Sequence, residues 1–435
     1  MKVPQEKINE IRDSVDIVEV ISEYVTLKKK GRTYFGLCPF HSETAPSFAV
    51  DRERQIFHCF GCGEGGNVFS FLMKKENINF FDAIKLLAKR KGITLTFTEE
   101  EKRIFAEKEN LYQVNEFAAS WYHKKLTSDK EGEKGLKYLK DRGFSNEIIE
   151  KFRLGFAPDN WDSLLRAAKK ELIDEKLLLK SGLILQRENE TGYYDRFRNR
   201  VIFPIQNEFG QILGFGARRL TEDEDTPKYI NTPETSVYHK GKILYGIYQA
   251  KEKIRSLDQA ILVEGYTDLL SLHQNGITNV LATSGTALTP FQVNLISRYT
   301  KNVTLVFDAD TAGLKAAIRG ADVIFEGNLN VDMINLGKGN DPDTFVKTYG
   351  KEKFLMALEN RSSFIDFFID IYKSEGNFSS NEKRVECIQG LLDFIVKIPS
   401  RIKKEVMLKE ISEKLTINES ALNYELIKKS KKIKK

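Results

Sequence analysis

The chain has 435 residues, 41% of them hydrophobic, which excludes a disordered protein and allows about two to four packed domains. Its net charge of +6 is no evidence for or against nucleic-acid binding, because six lysines lie in the last eight residues and the body is otherwise neutral. No apolar run reaches the length of a membrane span and no signal-peptide core opens the chain, so a cytoplasmic protein without a membrane partner is expected.

Residues 5–27 place Ile8, Ile11, Val15, Val18, Ile21 and Val25 at helical spacing, which predicts an amphipathic helix or helix pair ahead of Lys28-Lys29-Lys30. Cys38-Pro39-Phe40-His41 then precedes Cys59-Phe60-Gly61-Cys62, with seventeen residues between His41 and Cys59. Two residues between the members of each pair let both side chains reach one ion, and three thiolates with one imidazole suit a structural Zn²⁺. His58 adjoins Cys59 and is the competing ligand; on a strand it points to the opposite face, which leaves His41. Between the pairs, Ser47–Val50 and Gln55–His58 flank Asp51-Arg52-Glu53-Arg54 and read as a β-hairpin. Phe48 and Phe57 there are either core residues or a platform for a single strand. A helical run follows from Val68 to Leu87, and residues 99–110 carry eight charges in twelve, the composition of an exposed linker or solvated helix.

From residue 111 helical patterns resume, and Arg142-Gly143-Phe144-Ser145 makes a turn and helix cap. Trp121 and Trp161 are read as core residues. Tyr194-Asp195-Arg196-Phe197-Arg198-Asn199-Arg200 leads into the apolar strand Val201–Ile205. In an extended segment Arg196, Arg198 and Arg200 would share one face about 6.5–7 Å apart, close to the phosphate repeat of a single strand. More basic residues lie in Gly214–Arg219, Pro227–Asn231 and Tyr238–Lys242. Counting charges does not separate this stretch from an ordinary charged surface.

Residues 258–345 show four short apolar runs alternating with helical ones, which predicts a parallel sheet. The runs are Ala260–Val263, Asn279–Ala282, Val303–Phe307 and Val331–Leu336. Glu264, Asp308, Asp310, Asp341 and Asp343 all follow runs in this way, and carboxyl ends of parallel strands share one edge. So many carboxylates in one place repel unless hard cations neutralise them, and an oxygen-only set suits Mg²⁺ or Mn²⁺. Solvated turns would account for any one of them alone.

The segments Glu264-Gly265-Tyr266-Thr267-Asp268, Asp308-Ala309-Asp310 and Asp341-Pro342-Asp343 resemble the Toprim motif of bacterial primases, type IA and II topoisomerases and some nucleases. Together with the Cys-His-Cys-Cys ribbon and the basic segments, the chain is similar to bacterial replicative DNA primases of the DnaG type. It departs from the motif at Ala309, where relatives commonly have glycine, and metal binding is expected to survive this. The resemblance implies DNA-templated synthesis of short RNA primers, with single-stranded DNA and ribonucleoside triphosphates as partners. Glu264, Asp308 and Asp310 would be catalytic and hold two or three Mg²⁺ or Mn²⁺ ions. Asp341, Asp343 and, as a further candidate, Asp268 would add ligands or support. One zinc would sit on Cys38, His41, Cys59 and Cys62. Arg198, Arg200, Arg218, Lys228, Asn231 and Lys240 would match residues that contact template and nucleotide.

Residues 346–427 are helical by pattern, with Pro399 as a break and Cys387 as a buried thiol. The chain stops there, so the helicase expected from the family is read as lacking its usual docking domain. Single-strand-binding protein is a further candidate partner, and the nucleoid-associated replication fork the place of action. The fold expected is a multidomain combination of α+β and α/β parts. A zinc ribbon (1–98) and charged linker (99–110) lead to a mixed α+β subdomain with the basic ridge (111–257). A Toprim parallel-sheet subdomain (258–345), a helical subdomain (346–427) and a lysine-rich tail (428–435), read either as a disordered segment in weak contact with nucleic acid or as a solubility aid, complete it. The competing readings are a Toprim nuclease or topoisomerase-like enzyme and a non-catalytic single-strand-binding zinc protein.

Overall fold

The computed structural model describes residues 5–433 apart from 77, 79, 94–98, 188–190, 222–225, 307–310, 338, 375–377 and 379. It forms two compact units, 1–113 and 114–435.

In the first unit the expected helix pair is Gln5–Ser14 and Ile17–Ser22, the second capped by Asp16, whose side chain accepts from the Val18 amide. The basic run Lys28–Lys30 forms an edge strand of a five-stranded antiparallel sheet, a position where exposed lysines discourage further pairing. The hairpin pairs Phe48–Asp51 with Ile56–Cys59, Phe48 opposite Cys59 and Asp51 opposite Ile56. Of the two readings for Phe48 and Phe57, the core one holds: their rings stack at 5.2 Å, and Phe40 and Phe71 pack against both. Burying such a ring stabilises by about 1.5–3 kcal/mol, more than an exposed stacking surface contributes to folding. Residues 99–110 are the opening turns of a 30-residue helix, Glu99–Ser128.

Among the described residues the second unit holds two larger sheets and a two-stranded one that pairs Ile184–Gln186 with Tyr193–Asp195. An antiparallel sheet runs in the order Tyr229–Asn231, Ile212–Arg219, Arg200–Gln206, Gly155–Ala157. Its apolar strands pack against Ala118, Tyr122, Leu164 and Phe197. The other larger one is the expected parallel sheet, in the order Val280–Ala282, Ala260–Val263, Asn302–Val306, Asn330–Ile334, with Ser362–Ser363 added antiparallel. The interior strand Ala260–Val263 is buried throughout, as a parallel strand covered on both faces must be. The helix Pro290–Ser297 opens on a capping box that Thr289 and Gln292 form.

Helices Phe364–Ser374, Asn381–Ile395, Arg401–Leu415 and Glu419–Ile433 follow, with Leu391, Leu392, Leu408 and Ile411 in their core. Cys387 is fully buried as expected. The lysine-rich tail continues the last helix as far as Ile433, and Lys429 reaches Asp393 and the Gln389 carbonyl. A run of lysines reads as solvated in sequence, yet their aliphatic stems are good helix formers once a neighbouring helix supplies partners.

Candidate zinc site, carboxylate edge and basic face

The zinc ligands are brought together by the hairpin. Cys59 ends the strand Ile56–Cys59, and the tight turn after it returns Cys62 beside its partner. The ligand atoms of Cys38, His41, Cys59 and Cys62 all lie within 4.8 Å of one another. Cys38 Sγ to Cys62 Sγ and Cys59 Sγ to His41 Nδ1 are each 3.8 Å. Zinc–sulfur bonds of about 2.3 Å in a tetrahedron give edges of about 3.8 Å, so the four donors fit one Zn²⁺. Burial pushes the Cys38 thiol up to about 12, so a thiolate there needs a cation beside it. His58 pairs its strand with Ala49 and Gly65 and stays outside the cluster.

Sequence reasoning missed Glu43. Its carboxylate accepts from the Cys38 amide (2.7 Å), the Ser47 amide (3.2 Å) and the Ser47 hydroxyl, and lies 3.3 Å from His41 Nε2. The Ser47 hydroxyl is also 3.1 Å from Cys59 Sγ. One side chain thus orients three ligands, and a carboxylate on the far nitrogen fixes which imidazole nitrogen faces the metal. Gly61 is required at its position: a Cβ there would fall 2.7 Å from His41 Nε2.

In the second unit, Glu264 stands half-buried one residue past the strand Ala260–Val263. The parallel neighbour of that strand is Asn302–Val306, with Leu262 opposite Leu305, and it leads into Asp308 and Asp310, which lie outside the described residues. The Ser284 amide donates to the Glu264 carbonyl (2.9 Å), which ties the loop after Val280–Ala282 to the same edge. The remaining candidates have local work. Asp268 is buried and accepts from the Gly265 amide at 2.9 Å, closing the first turn of the helix Tyr266–Gln274. Asp341 caps the helix Pro342–Glu359, taking the Thr344 amide at 2.6 Å. Asp343 is 4% exposed, accepts from the Ser271 hydroxyl and faces Lys347 Nζ at 2.5 Å and Arg142 Nη1 at 3.6 Å.

The basic residues are arranged differently from the alternating rail that the sequence suggests. Asn199 is left-handed (φ 48°) and the strand begins only at Arg200, so alternation does not run through Arg196, Arg198 and Arg200. Arg196 turns inward and donates to the Asn231 carbonyl through Nε and Nη2 (3.3 and 3.2 Å). Arg200 is buried, donates to the Pro227 carbonyl (3.0 Å), and has its pKa lowered by that burial. Arg198 lies over the Trp161 ring at 4.2 Å and near Tyr194 at 5.2 Å. Trp161 is therefore no core residue: it is 59% exposed, because the guanidinium and Tyr194 take the place of apolar packing. Trp121 is partly buried against the antiparallel sheet's core. Asp195 sets this corner. Its carboxylate accepts the Leu164 and Leu165 amides (2.7 and 3.0 Å), while its own amide donates to the Trp161 carbonyl (2.7 Å).

Arg218 packs between Tyr138 (5.0 Å) and Tyr229 (5.4 Å) and donates to the Tyr229 hydroxyl at 2.8 Å. Lys228 is exposed, and Lys240 is half-buried with its pKa lowered by burial. Asn231 accepts the Tyr266 hydroxyl on Oδ1 at 2.7 Å.

A zinc ribbon together with a parallel sheet that carries Glu264 just past the carboxyl end of one strand fits an enzyme of the Toprim class. Comparison with known proteins agrees, domain by domain. Residues 3–103 match the CHC2 zinc finger, 121–251 the N-terminal domain of the DNA primase catalytic core, and 261–346 the Toprim-like family. The DNA primase of Halalkalibacterium halodurans is 41% identical over 426 residues, covering 98% of this chain and 71% of that protein. That of Clostridium acetobutylicum is 41% identical over 430 residues, covering 98% and 70%. The solved zinc-binding and RNA polymerase domains of the Aquifex aeolicus primase are 35% identical, with a TM-score of 0.65 over 96% of this chain and 98% of that one. A DnaG primase catalytic domain bound to single-stranded DNA is 32% identical, with a TM-score of 0.65 over 73% and 99%. The chain belongs to the DNA primase family, and its activity is RNA primer synthesis. The Cys/His cluster fits one zinc, and the Toprim domain implies a divalent metal.

One expectation is overturned. Residues 365–420 match the DnaB-helicase binding domain of primase, so the docking domain read as absent is present. Apolar stripes had announced helices there, but a stripe reports the buried face and is silent on what the outer face binds. Among the described residues no helix is long and apolar enough to cross a membrane.

Proposed function

We propose that Glu264, Asp308 and Asp310 hold two or three Mg²⁺ or Mn²⁺ ions and that nucleotidyl transfer takes place at this edge. When bound, such ions would lower the barrier by stabilising charge on the attacking 3′-hydroxyl and the leaving pyrophosphate. Supporting this, Glu264 stands at the carboxyl edge of a strand whose parallel neighbour leads directly to residues 308–310. Asp341 and Asp343 take supporting roles at the start of the helix Pro342–Glu359, where Asp343 is charge-compensated by Lys347 and Arg142.

In this reading Arg198, with Trp161 beneath it, and Arg218 follow the single-stranded DNA template, and the buried Arg200 braces the Pro227–Lys228 backbone. Lys228, Asn231 and Lys240 engage the triphosphate. The guanidinium and indole suit a strand whose phosphates need positive charge and whose bases stack on any aromatic face. The zinc ribbon selects the initiation site, and residues 365–420 dock the replicative helicase. Incubating zinc-loaded protein with single-stranded templates, Mg²⁺ and labelled ribonucleotides tests the reading. Asp308→Ala should abolish labelled primers and leave template affinity within about twofold, as expected of a residue acting on the reacting atoms and not on the template backbone. Undiminished synthesis by that variant would remove the assignment.

A further inference from the structure

Tyr266 follows Glu264 by two residues, yet its side chain belongs to the antiparallel sheet. The ring is 3% exposed, stacks on Phe203 at 4.9 Å with an interplanar angle of 13°, and meets Tyr245 edge-on at 4.8 Å. Its hydroxyl reaches Asn231 Oδ1 at 2.7 Å, across 35 residues of sequence. The approach depends on Gly216, which pairs with Asn231 in the sheet register: a Cβ on it would sit 2.4 Å from the Tyr266 hydroxyl oxygen. A protonated phenol can donate or accept, and because the atom it meets is Asn231 Oδ1, which only accepts, the hydroxyl donates in this contact.

That donor decides which way the Asn231 amide points. An asparagine presents either its oxygen or its NH₂ to a ligand, and the surrounding network chooses between them. Here Oδ1 is taken from inside, and the Asn231 backbone carbonyl is held by Arg196. The side-chain Nδ2 is left as the outward group.

We propose that Tyr266 is a positioning residue for nucleotide binding: its hydroxyl holds the Asn231 amide so that Asn231 offers N–H donors, and only donors, to the phosphate or ribose oxygens of an incoming ribonucleoside triphosphate. The inference rests on the reading of Asn231 as a nucleotide contact. It also links that contact to the metal-binding edge, because Glu264, Gly265 and Tyr266 are consecutive and the Asp268 side chain fastens the Gly265 amide.

The test is a two-residue cycle in the full chain, with steady-state primer synthesis measured against ribonucleotide concentration on a fixed template. Tyr266→Phe keeps the stack and removes only the hydroxyl. It should raise KM for ribonucleotides about tenfold, the effect of freeing one hydrogen-bonded group, with kcat retained and the melting temperature unmoved. Asn231→Ala should raise KM at least as far, and adding Tyr266→Phe to it should change nothing more, because the hydroxyl acts through the amide. If the two effects add in full, or if Tyr266→Phe leaves KM alone while Asn231→Ala raises it, the positioning role is wrong and the Asn231 reading stands. A fall in kcat at constant KM assigns the hydroxyl to the Glu264 side and likewise overturns it. If Asn231→Ala leaves KM unchanged, the nucleotide reading of Asn231 fails and this inference with it.

Discussion

Replacing His273 by leucine should flatten the acid side of this protein's stability profile. The imidazole sits on the helix Tyr266–Gln274, 3% exposed and edge-on to Phe152 at 5.0 Å. Among the described residues neither ring nitrogen has a well-formed hydrogen bond, and a weak one to the Val280 backbone only partly supports the charged ring. Burial, with the Lys151 ammonium adding to it, pushes the pKa down to about 3. An unfolded chain takes up the His273 proton near pH 6.5, whereas the folded one resists it, so stability is intact above about 6.5 and is lost as pH falls toward 3. At pH 5 the unfolded group is already about 1.5 pH units below its own pKa, which amounts to about 2 kcal/mol lost relative to neutral pH. Domains are stable by only about 5–15 kcal/mol, so a loss of this size is readily measured. Urea unfolding of the wild type and of His273→Leu at pH 7 and pH 5 is the assay. Between those pH values the wild type should lose about 2 kcal/mol more than the variant. Parallel losses in both proteins would show that the imidazole accepts its proton in the fold and would refute the reasoning.

Glu43→Gln should leave all four zinc ligands in place and weaken zinc about ten- to a hundredfold, since a neutral amide cannot orient His41, Cys38 and Ser47 together. Competition with a chromophoric chelator measures this, and unchanged affinity would strip Glu43 of its role. Trp161→Ala should weaken single-stranded template binding about five- to a hundredfold, the usual contribution of one base stack. Its melting temperature should hardly move, because the indole is 59% exposed. Fluorescence anisotropy at fixed salt distinguishes the two effects, and equal affinity for both proteins would place the template elsewhere.

Much of this molecule is written in short-range pattern. The two Cys/His pairs at fixed spacing specify one zinc, because two intervening residues bring both side chains of a turn to one ion. Four apolar runs, three of them followed by acidic residues, specify a parallel sheet whose strands all point their carboxyl ends the same way. The capping residues Thr289 and Asp341 mark their helices for the same local reason.

The sequence left undetermined whatever depends on partners distant in the chain. Trp161 has a core residue's composition and an exposed position, because Asp195 and Arg198, more than thirty residues further on, hold it at the surface. Arg196, Arg198 and Arg200 alternate in sequence, but the left-handed Asn199 sends them to different neighbours. Glu43 carried no signal, and Tyr266 none beyond its place in the Glu264–Asp268 segment, since a carboxylate becomes a zinc support, and a tyrosine the orienting partner of Asn231, only through tertiary contacts. Periodicity and ligand spacing act within a turn or a strand, which one stretch of chain can specify alone. The direction of a polar side chain is set by which donors and acceptors the completed fold brings within about 3 Å of it.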